Sequence, residues 1–239
     1  MEKIAMRSKW LLCVSAFVLC SSVYAQEFGE ENTRLSDFRS IGIGAAAHRF
    51  EAAASNSLPD SLRIHFSAAA GIIEYRDLNT HIAFSYTPYT INGTSQAALS
   101  LSAESSYDIP LSRGRESQRF FFPIVISANY VEASGSSHLT QNFNIGSFGI
   151  GAGLKYRYVG DSFGAQVFGA GSILISSQGF SVETGTSTAA LAEASLLLPG
   201  IIGEGVIVGY RFEIQSWRLS SAVYNYRREF QGPFVGIFF

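Results

Sequence analysis

Eight ionisable residues sit at alternate positions of segments that are otherwise largely apolar or small: Arg63, Lys155, Arg157 and Arg211 as cations, Glu104, Asp108, Glu193 and Glu213 as anions. Alternate residues of an extended segment share one face, so parallel alignment of these segments gathers four cations and four anions on a common surface. Enclosed away from water, such groups must pair or stay hydrated, because an unpaired ion in a low dielectric is strongly destabilising. The chemistry they offer is an ion-lined passage or an ionic plug.

Nucleophilic catalysis would need a hydroxyl or thiol beside a base, with a third group to orient it. Three histidines, His48, His65 and His81, fall within alternating segments, and only His138 stands in a polar stretch, Ser136-Ser137-His138. That stretch has suitable residue types but no recognised catalytic pattern, so the expectation is that the chain is not an enzyme. The histidines lack paired i, i+4 spacing on a helix, and both cysteines, Cys13 and Cys20, lie in the first 25 residues, so neither a metal nor another cofactor is expected. The run Gly149-Ile150-Gly151-Ala152-Gly153 differs from a dinucleotide fingerprint in spacing and precedes no helix. Its glycines are read as small inward residues of a strand.

The elements that must position these groups begin after an export leader. Lys3, Arg7 and Lys9 precede an apolar run at 10–19, and Val23-Tyr24-Ala25 supplies a cleavage site before Gln26. This pattern predicts a signal peptide over 1–25, too short in its apolar core for a membrane helix. Removing Glu2 and the three leader cations from totals of 19 anions and 17 cations leaves 18 and 14, a net charge of −4. Such a surface offers no field for nucleic acid. Residues 26–37, with Glu27, Glu30 and Glu31, read as a short periplasmic lead-in rather than a domain.

The chain's 19 phenylalanines, all but Phe17 and Phe28 of them from 38 onward, are spread in alternation rather than in any continuous apolar helix-length run. Ten strand-length segments are expected: 38–51, 61–74, 80–90, 96–108, 119–132, 143–158, 162–176, 188–198, 205–215 and 232–239. Tight connections at 76–79 and 160–161 alternate with long polar ones at 134–142, 178–187 and 216–231. The pattern predicts an all-β, antiparallel transmembrane barrel of about ten strands, with eight as the alternative. Asn92-Gly93 predicts a compact hairpin turn. Pro123, inside a strand, predicts a bulge. In the second segment Leu62, Ile64, Phe66, Ala68, Ala70 and Ile72 are assigned to lipid, and Arg63, His65, Ser67, Ala69 and Gly71 to the lumen. In the fourth, Leu99 and Leu101 oppose Ser100, Ser102, Glu104 and Asp108; in the ninth, Val206, Val208, Tyr210, Phe212 and Ile214 oppose Arg211, Glu213 and Gln215. Gly169 and Gly171 thin the lipid face of the seventh and are read as local bending.

The C-terminus alternates too, with Val235, Ile237 and Phe239 on one face and Phe234, Gly236 and Phe238 on the other. This terminal strand, with tyrosines or phenylalanines at strand ends such as Tyr75, Tyr130, Tyr158 and Phe212, resembles the small bacterial outer-membrane barrels, the group of the OmpA transmembrane domain and the OmpX- and OmpW-like proteins. The resemblance covers the mature chain, and it implies an outer-membrane location and recognition of Val235, Ile237 and Phe239 by the barrel-assembly machinery. Gln231, Pro233 and Phe238 depart from the usual terminal pattern.

In such a barrel the last outer loop would carry Trp217, Arg218, Tyr224, Tyr226, Arg227 and Arg228 at headgroup level, where arginine pairs with phosphate and aromatic rings sit in the interface. Outer-membrane lipids are therefore expected partners; the loop itself reads first as an ordinary aromatic girdle with basic residues on a solvated loop, with recognition of lipopolysaccharide phosphates or of an external ligand as the alternative. Barrels this narrow usually fill with side chains. The expected role is a structural or surface-interacting barrel closed by its ionic network, with a narrow ion or small-solute channel as the first alternative and a lipid-active enzyme as the second.

Overall fold

The computed structural model describes residues 38–53, 64–111, 118–134, 143–160, 162–178, 183–202, 204–219 and 225–239. The expected signal peptide and lead-in lie outside them, as do Arg63, Ser136, Ser137, His138 and Tyr224. Ten strands run in chain order: β1 Arg39–Ala53, β2 Phe66–Asp77, β3 Thr80–Ile91, β4 Thr94–Pro110, β5 Gln118–Ala133, β6 Phe143–Val159, β7 Gly164–Gln178, β8 Glu183–Pro199, β9 Gly205–Leu219 and β10 Asn225–Phe238. Each pairs antiparallel with its neighbours, and β1 closes on β10 through a register that sets Ile41 opposite Ile237. Closure leaves no sheet edge, the condition for a strand structure to sit in hydrocarbon.

Parity then divides every strand. Outward positions carry large apolar side chains left bare, among them Ile43, Ile73, Ile150, Ile173 and Ile175, each 60% exposed or more. An apolar belt of this kind around a closed wall is a lipid-facing surface. Strands of 12 to 17 residues exceed the roughly 9–11 that cross a bilayer core, so they project beyond it. The start of β1 and the end of β10 meet at one rim, where Phe239 N–H donates to Arg39 O at 3.0 Å, here termed the terminus end; the hairpin at Asn92-Gly93 marks the opposite, loop end. That hairpin has φ of 51° and 77° at its two central residues, the mirror-image turn that an Asn-Gly pair accommodates.

The structure inverts the expected faces of β2. Ile64, Phe66 and Ala70 are buried in the lumen, while His65, Ser67, Ala69 and Gly71 face outward. The reason lies further along the same strand, where Glu74 and Arg76 share the parity of Phe66 and must turn inward. Apolar residues near the loop end are lumen filling, so apolarity alone misassigns the side. The faces of β4 and β9 follow the expected division, with Ser100 and Glu104, then Arg211, Glu213 and Gln215, turned inward.

Pro123 does not make a bulge. Phe121 pairs with Lys155 and Ile124 with Ala152 in one unbroken register, and only the intervening contacts to β6 lapse. The ring removes one donor without inserting a residue. Pro233 does the same on β10, where pairing with β1 skips from Gly44↔Phe234 to Ala47↔Gln231. Near the loop end β8 begins at Glu183, β9 continues to Leu219 and β10 starts at Asn225, so two connections expected to be long are largely strand.

The inward glycines of β6 allow a close approach to β7. A Cβ on Gly149, Gly151 or Gly153 would run into backbone atoms at Ile173–Leu174, Gly171–Ser172 and Gly169–Ala170 respectively. Gly151→Val is therefore expected to destabilise the barrel by at least about 1–3 kcal/mol, the usual cost of overpacking, whereas Gly71→Ala, with open space around its Cβ position, should be near neutral. Urea unfolding of the two refolded variants, followed by the heat-dependent gel shift, checks the contrast.

Candidate functional site: the filled lumen

The inward parity of six strands brings an ion network together across the barrel. From β2, Arg76 donates through Nε to Glu74 Oε1 at 2.6 Å and through Nη2 to Glu74 Oε2 at 2.9 Å, while Nη1 reaches across the lumen to Glu193 on β8. Glu193 is shared with Arg211 of β9, whose Nη1 donates to Glu193 Oε2 at 3.2 Å and whose Nη2 donates to Glu104 Oε2 of β4 at 2.8 Å. Glu213 lies 3.7 Å from Arg211 and accepts a hydrogen bond from Arg228 of β10. His81 of β3 places Nε2 at 3.1 Å from Glu74 and Nδ1 at 3.8 Å from Glu104. The Arg76 guanidinium also stacks 3.8 Å from the centroid of Phe234. Each buried carboxylate thus has a cationic partner, the condition under which buried charge is tolerated.

A smaller cluster lies toward the terminus end. Lys155 donates to Asp108 Oδ1 and Oδ2 at 2.9 and 2.8 Å and to Ser106 Oγ at 3.0 Å, and Arg157 stands 3.6 Å from the same carboxylate. So Glu104, Glu193, Arg211 and Glu213 meet in one network, Asp108, Lys155 and Arg157 in another, and Arg63 lies outside the described residues. Sequence reasoning missed Glu74, Arg76, His81 and Arg228. For β2 the inverted face hid two of them. Arg228 was assigned to a loop, although its two-residue step from Phe230 and Phe234 carries the inward parity.

Above the ions, toward the loop end, comes a layer of neutral polar groups. Ser85 and Ser100 are 2.6 Å apart, Ser147 and Ser176 2.8 Å, and Ser176 donates to Ser187 at 2.9 Å. Gln215 Nε2 donates to Asn129 Oδ1 and Ser187 Oγ, both at 3.3 Å. His48 Nδ1 lies 2.7 Å from Thr87 Oγ1, the one described place where a histidine touches a hydroxyl at that depth. Both are almost completely buried and no carboxylate orients the ring, so the pair packs the lumen and offers no substrate access.

The loop end is closed by an aromatic cap. Phe50, Phe66, Tyr89, Phe143 and Trp217 pack with Ile64, Ile91, Val131, Ile145 and Leu219 in one cluster. Phe66 and Tyr89 stack at 4.0 Å between centroids, and Phe143 meets Phe50 and Trp217 edge-on at 4.8 and 5.4 Å. Trp217 Nε1 donates to Ser147 Oγ at 3.1 Å, which ties the cap to the polar layer. This corrects the outer-loop assignment of Trp217, Tyr226, Arg227 and Arg228. All four lie in strands; Trp217 and Arg228 are turned inward and buried, Tyr226 packs against the cap, and Arg227 stays on the outer face. The register of β9 sets Trp217 on the side of Arg211 and Glu213, a parity that the sequence already held.

On the outer face near the loop end, Arg49 and Glu51 of β1 lie opposite Glu229 and Arg227 of β10. Within strands, Arg49 reaches Glu51 at 2.8 Å and Arg227 reaches Glu229 at 2.6 Å. Arg218 is exposed on β9. At the terminus end Val235, Ile237 and Phe239 face outward while Phe234 and Phe238 pack inward with Phe38 and Ile207. Among the described residues, no group of three or more histidine, cysteine or acidic side chains is arranged to hold a metal ion.

Fold and lumen together define a membrane-spanning β-barrel with a filled interior. No family model matches the chain, and no curated protein matches it. Among solved structures it is similar to Neisserial surface protein A, at 12% identity and a TM-score of 0.35 over 82% of this chain and 96% of that one. It is also similar to the outer membrane protease OmpT of Escherichia coli, at 10% and 0.35 over 88% and 99% of the two chains. A third is Ail, the attachment invasion locus protein of Yersinia pestis, solved with the heparin analogue sucrose octasulfate, at 11% and 0.27 over 85% and 99%. At this level the likenesses carry no statement about activity.

Proposed function

We propose that this chain is an outer-membrane barrel with a structural or surface-interacting role, exported by a cleaved signal peptide over residues 1–25 and closed to solutes. The observation that carries this reading is the aromatic cap that fills the bore at the loop end, above an ion network that spans β2, β3, β4, β8, β9 and β10. A passage for solutes needs a continuous bore, and here charged and aromatic side chains cross it at two levels. The bare apolar belt supports placement in a bilayer, and the export signal supports the outer membrane. The outward Val235, Ile237 and Phe239 support engagement by the barrel-assembly machinery, since their side chains are offered to the outside of the wall. The outward arginines Arg49, Arg218 and Arg227 near the loop end support contact with phosphate groups of outer-leaflet lipid, lipopolysaccharide included.

Expression of the full chain in a bacterium tests the reading as a whole. The expected result is a heat-modifiable protein in the outer-membrane fraction, with uptake of small hydrophilic solutes unchanged from the vector control. Retention in the cytoplasm, or a marked rise in solute uptake, would overturn it. A second reading, a narrow ion channel, is favoured by unfilled space at the terminus end: a vestibule of about 70 Å³ bordered by Arg76, His81, Lys155, Arg157 and Arg211. It would require Glu104→Gln and Glu213→Gln to alter conductance.

A further inference from the structure

Unfilled space lies on both sides of the ion network. Two smaller cavities of about 20 Å³ each accompany the vestibule, and the three share lining residues: Glu104 and Arg211 border the vestibule, Arg211 with Glu213 and Arg228 borders the second cavity, and Glu104 with Glu213 borders the third. The second sets Ser85, Ser100 and Ser102 among charged groups and Phe230 and Phe234, and the third is lined largely by hydroxyls, an amide and small residues, including Ser127, Asn129 and Ser172. Polar groups without a protein partner adjoin this space. Arg228 Nε and Nη1 and His81 Nδ1 have no hydrogen-bond partner, both residues are more than nine-tenths buried, and both border the second cavity. Buried polar atoms left without partners are costly, and water in an adjoining cavity satisfies them.

We propose that the lumen is an aqueous well, open at the terminus end, holding water and small monovalent ions as far as the Ser102–Asn129 level, and that the aromatic cap alone is its gate. The ion network is a wet filter within the well rather than a second seal. This goes beyond the closed-barrel function: it states which of the two layers keeps the barrel silent. The cap contains no described charged residue and lines none of the three cavities, whereas Glu104, Arg211, Glu213 and Arg228 of the ion network each border at least one of them.

The mature chain has no cysteine, because Cys13 and Cys20 both precede Gln26, so single thiols report access cleanly. Ag⁺, a monovalent ion close to potassium in size, is the probe. In the refolded, detergent-solubilised barrel, Ser102→Cys is expected to react with Ag⁺ at least about tenfold faster than Ile145→Cys in the cap, since thiol reactivity follows access. Equal protection of both thiols would overturn the proposal. In a planar bilayer with potassium chloride, Trp217→Ala and the milder Phe143→Leu are expected to give current steps that wild type lacks, with barrel closure confirmed by the heat-dependent gel shift. Folded cap variants that stay silent would also overturn it. Steady current through wild type would instead refute the closed-barrel reading, and would leave the accessibility of Ser102→Cys to decide the well.

Discussion

Glu193→Leu is expected to destabilise the folded barrel by about 3–5 kcal/mol, the cost of breaking a buried ion pair by removing one partner. Glu193 lies between two guanidiniums, accepting from Arg76 on one oxygen and from Arg211 on the other. Its loss leaves Arg211 with Glu104 but strips Arg76 of the carboxylate it reaches across the lumen, with Glu74 on its own strand remaining. Urea unfolding of the refolded chain in lipid vesicles reads the effect. The double variant Arg76→Met with Glu193→Leu should recover a large part of the loss, because an apolar pair of similar volume often matches a buried ion pair. If Glu193→Leu unfolds at the wild-type urea concentration, the network carries no stability and its geometry is incidental.

Trp217→Ala is expected to cost a similar amount, about 3–5 kcal/mol, but for a different reason. Trp217 is completely buried in the cap against Phe50 and Phe143, so truncation leaves a cavity that neighbours on separate strands cannot readily close. It also removes the donor to Ser147. Trp217→Phe separates the two contributions: most of the packing stays, the hydrogen bond goes, and the expected loss falls to about 0.5–1.5 kcal/mol for the bond together with a smaller packing deficit. The same unfolding measurement checks both. A Trp217→Ala barrel as stable as wild type would place this residue in a solvated loop after all.

How far the sequence could be read depended on which signal was in play. Strand number and order followed from alternation and from turn chemistry, and Asn92-Gly93 takes the turn its residue types require. The inward side of β9 was legible because Arg211 and Glu213 alternate with Val208, Tyr210 and Phe212. The side of β2 was not, because a lumen filled by Phe66 and Ile64 is as apolar as the lipid outside. Only the charged end of the same strand, Glu74 and Arg76, distinguishes the two solvents. Strand ends near the loop rim were misjudged for a related reason: Trp217, Arg218 and Arg227 look like loop residues by polarity, yet β9 and β10 continue through them in register, Tyr226 opposite Trp217. Pairings across the lumen, such as Arg76 with Glu193, depend on barrel curvature and have no local signature.

The central claim is that this barrel is sealed, and single-channel recording of the refolded mature chain in a planar bilayer tests it most directly. After a heat-dependent gel shift has confirmed closure, wild type is predicted to give no steady current across the voltage range at which the bilayer itself is stable. Reproducible current steps that change when Glu104 or Glu213 is replaced by Gln would contradict the account, and would make the ion network the filter of an open channel.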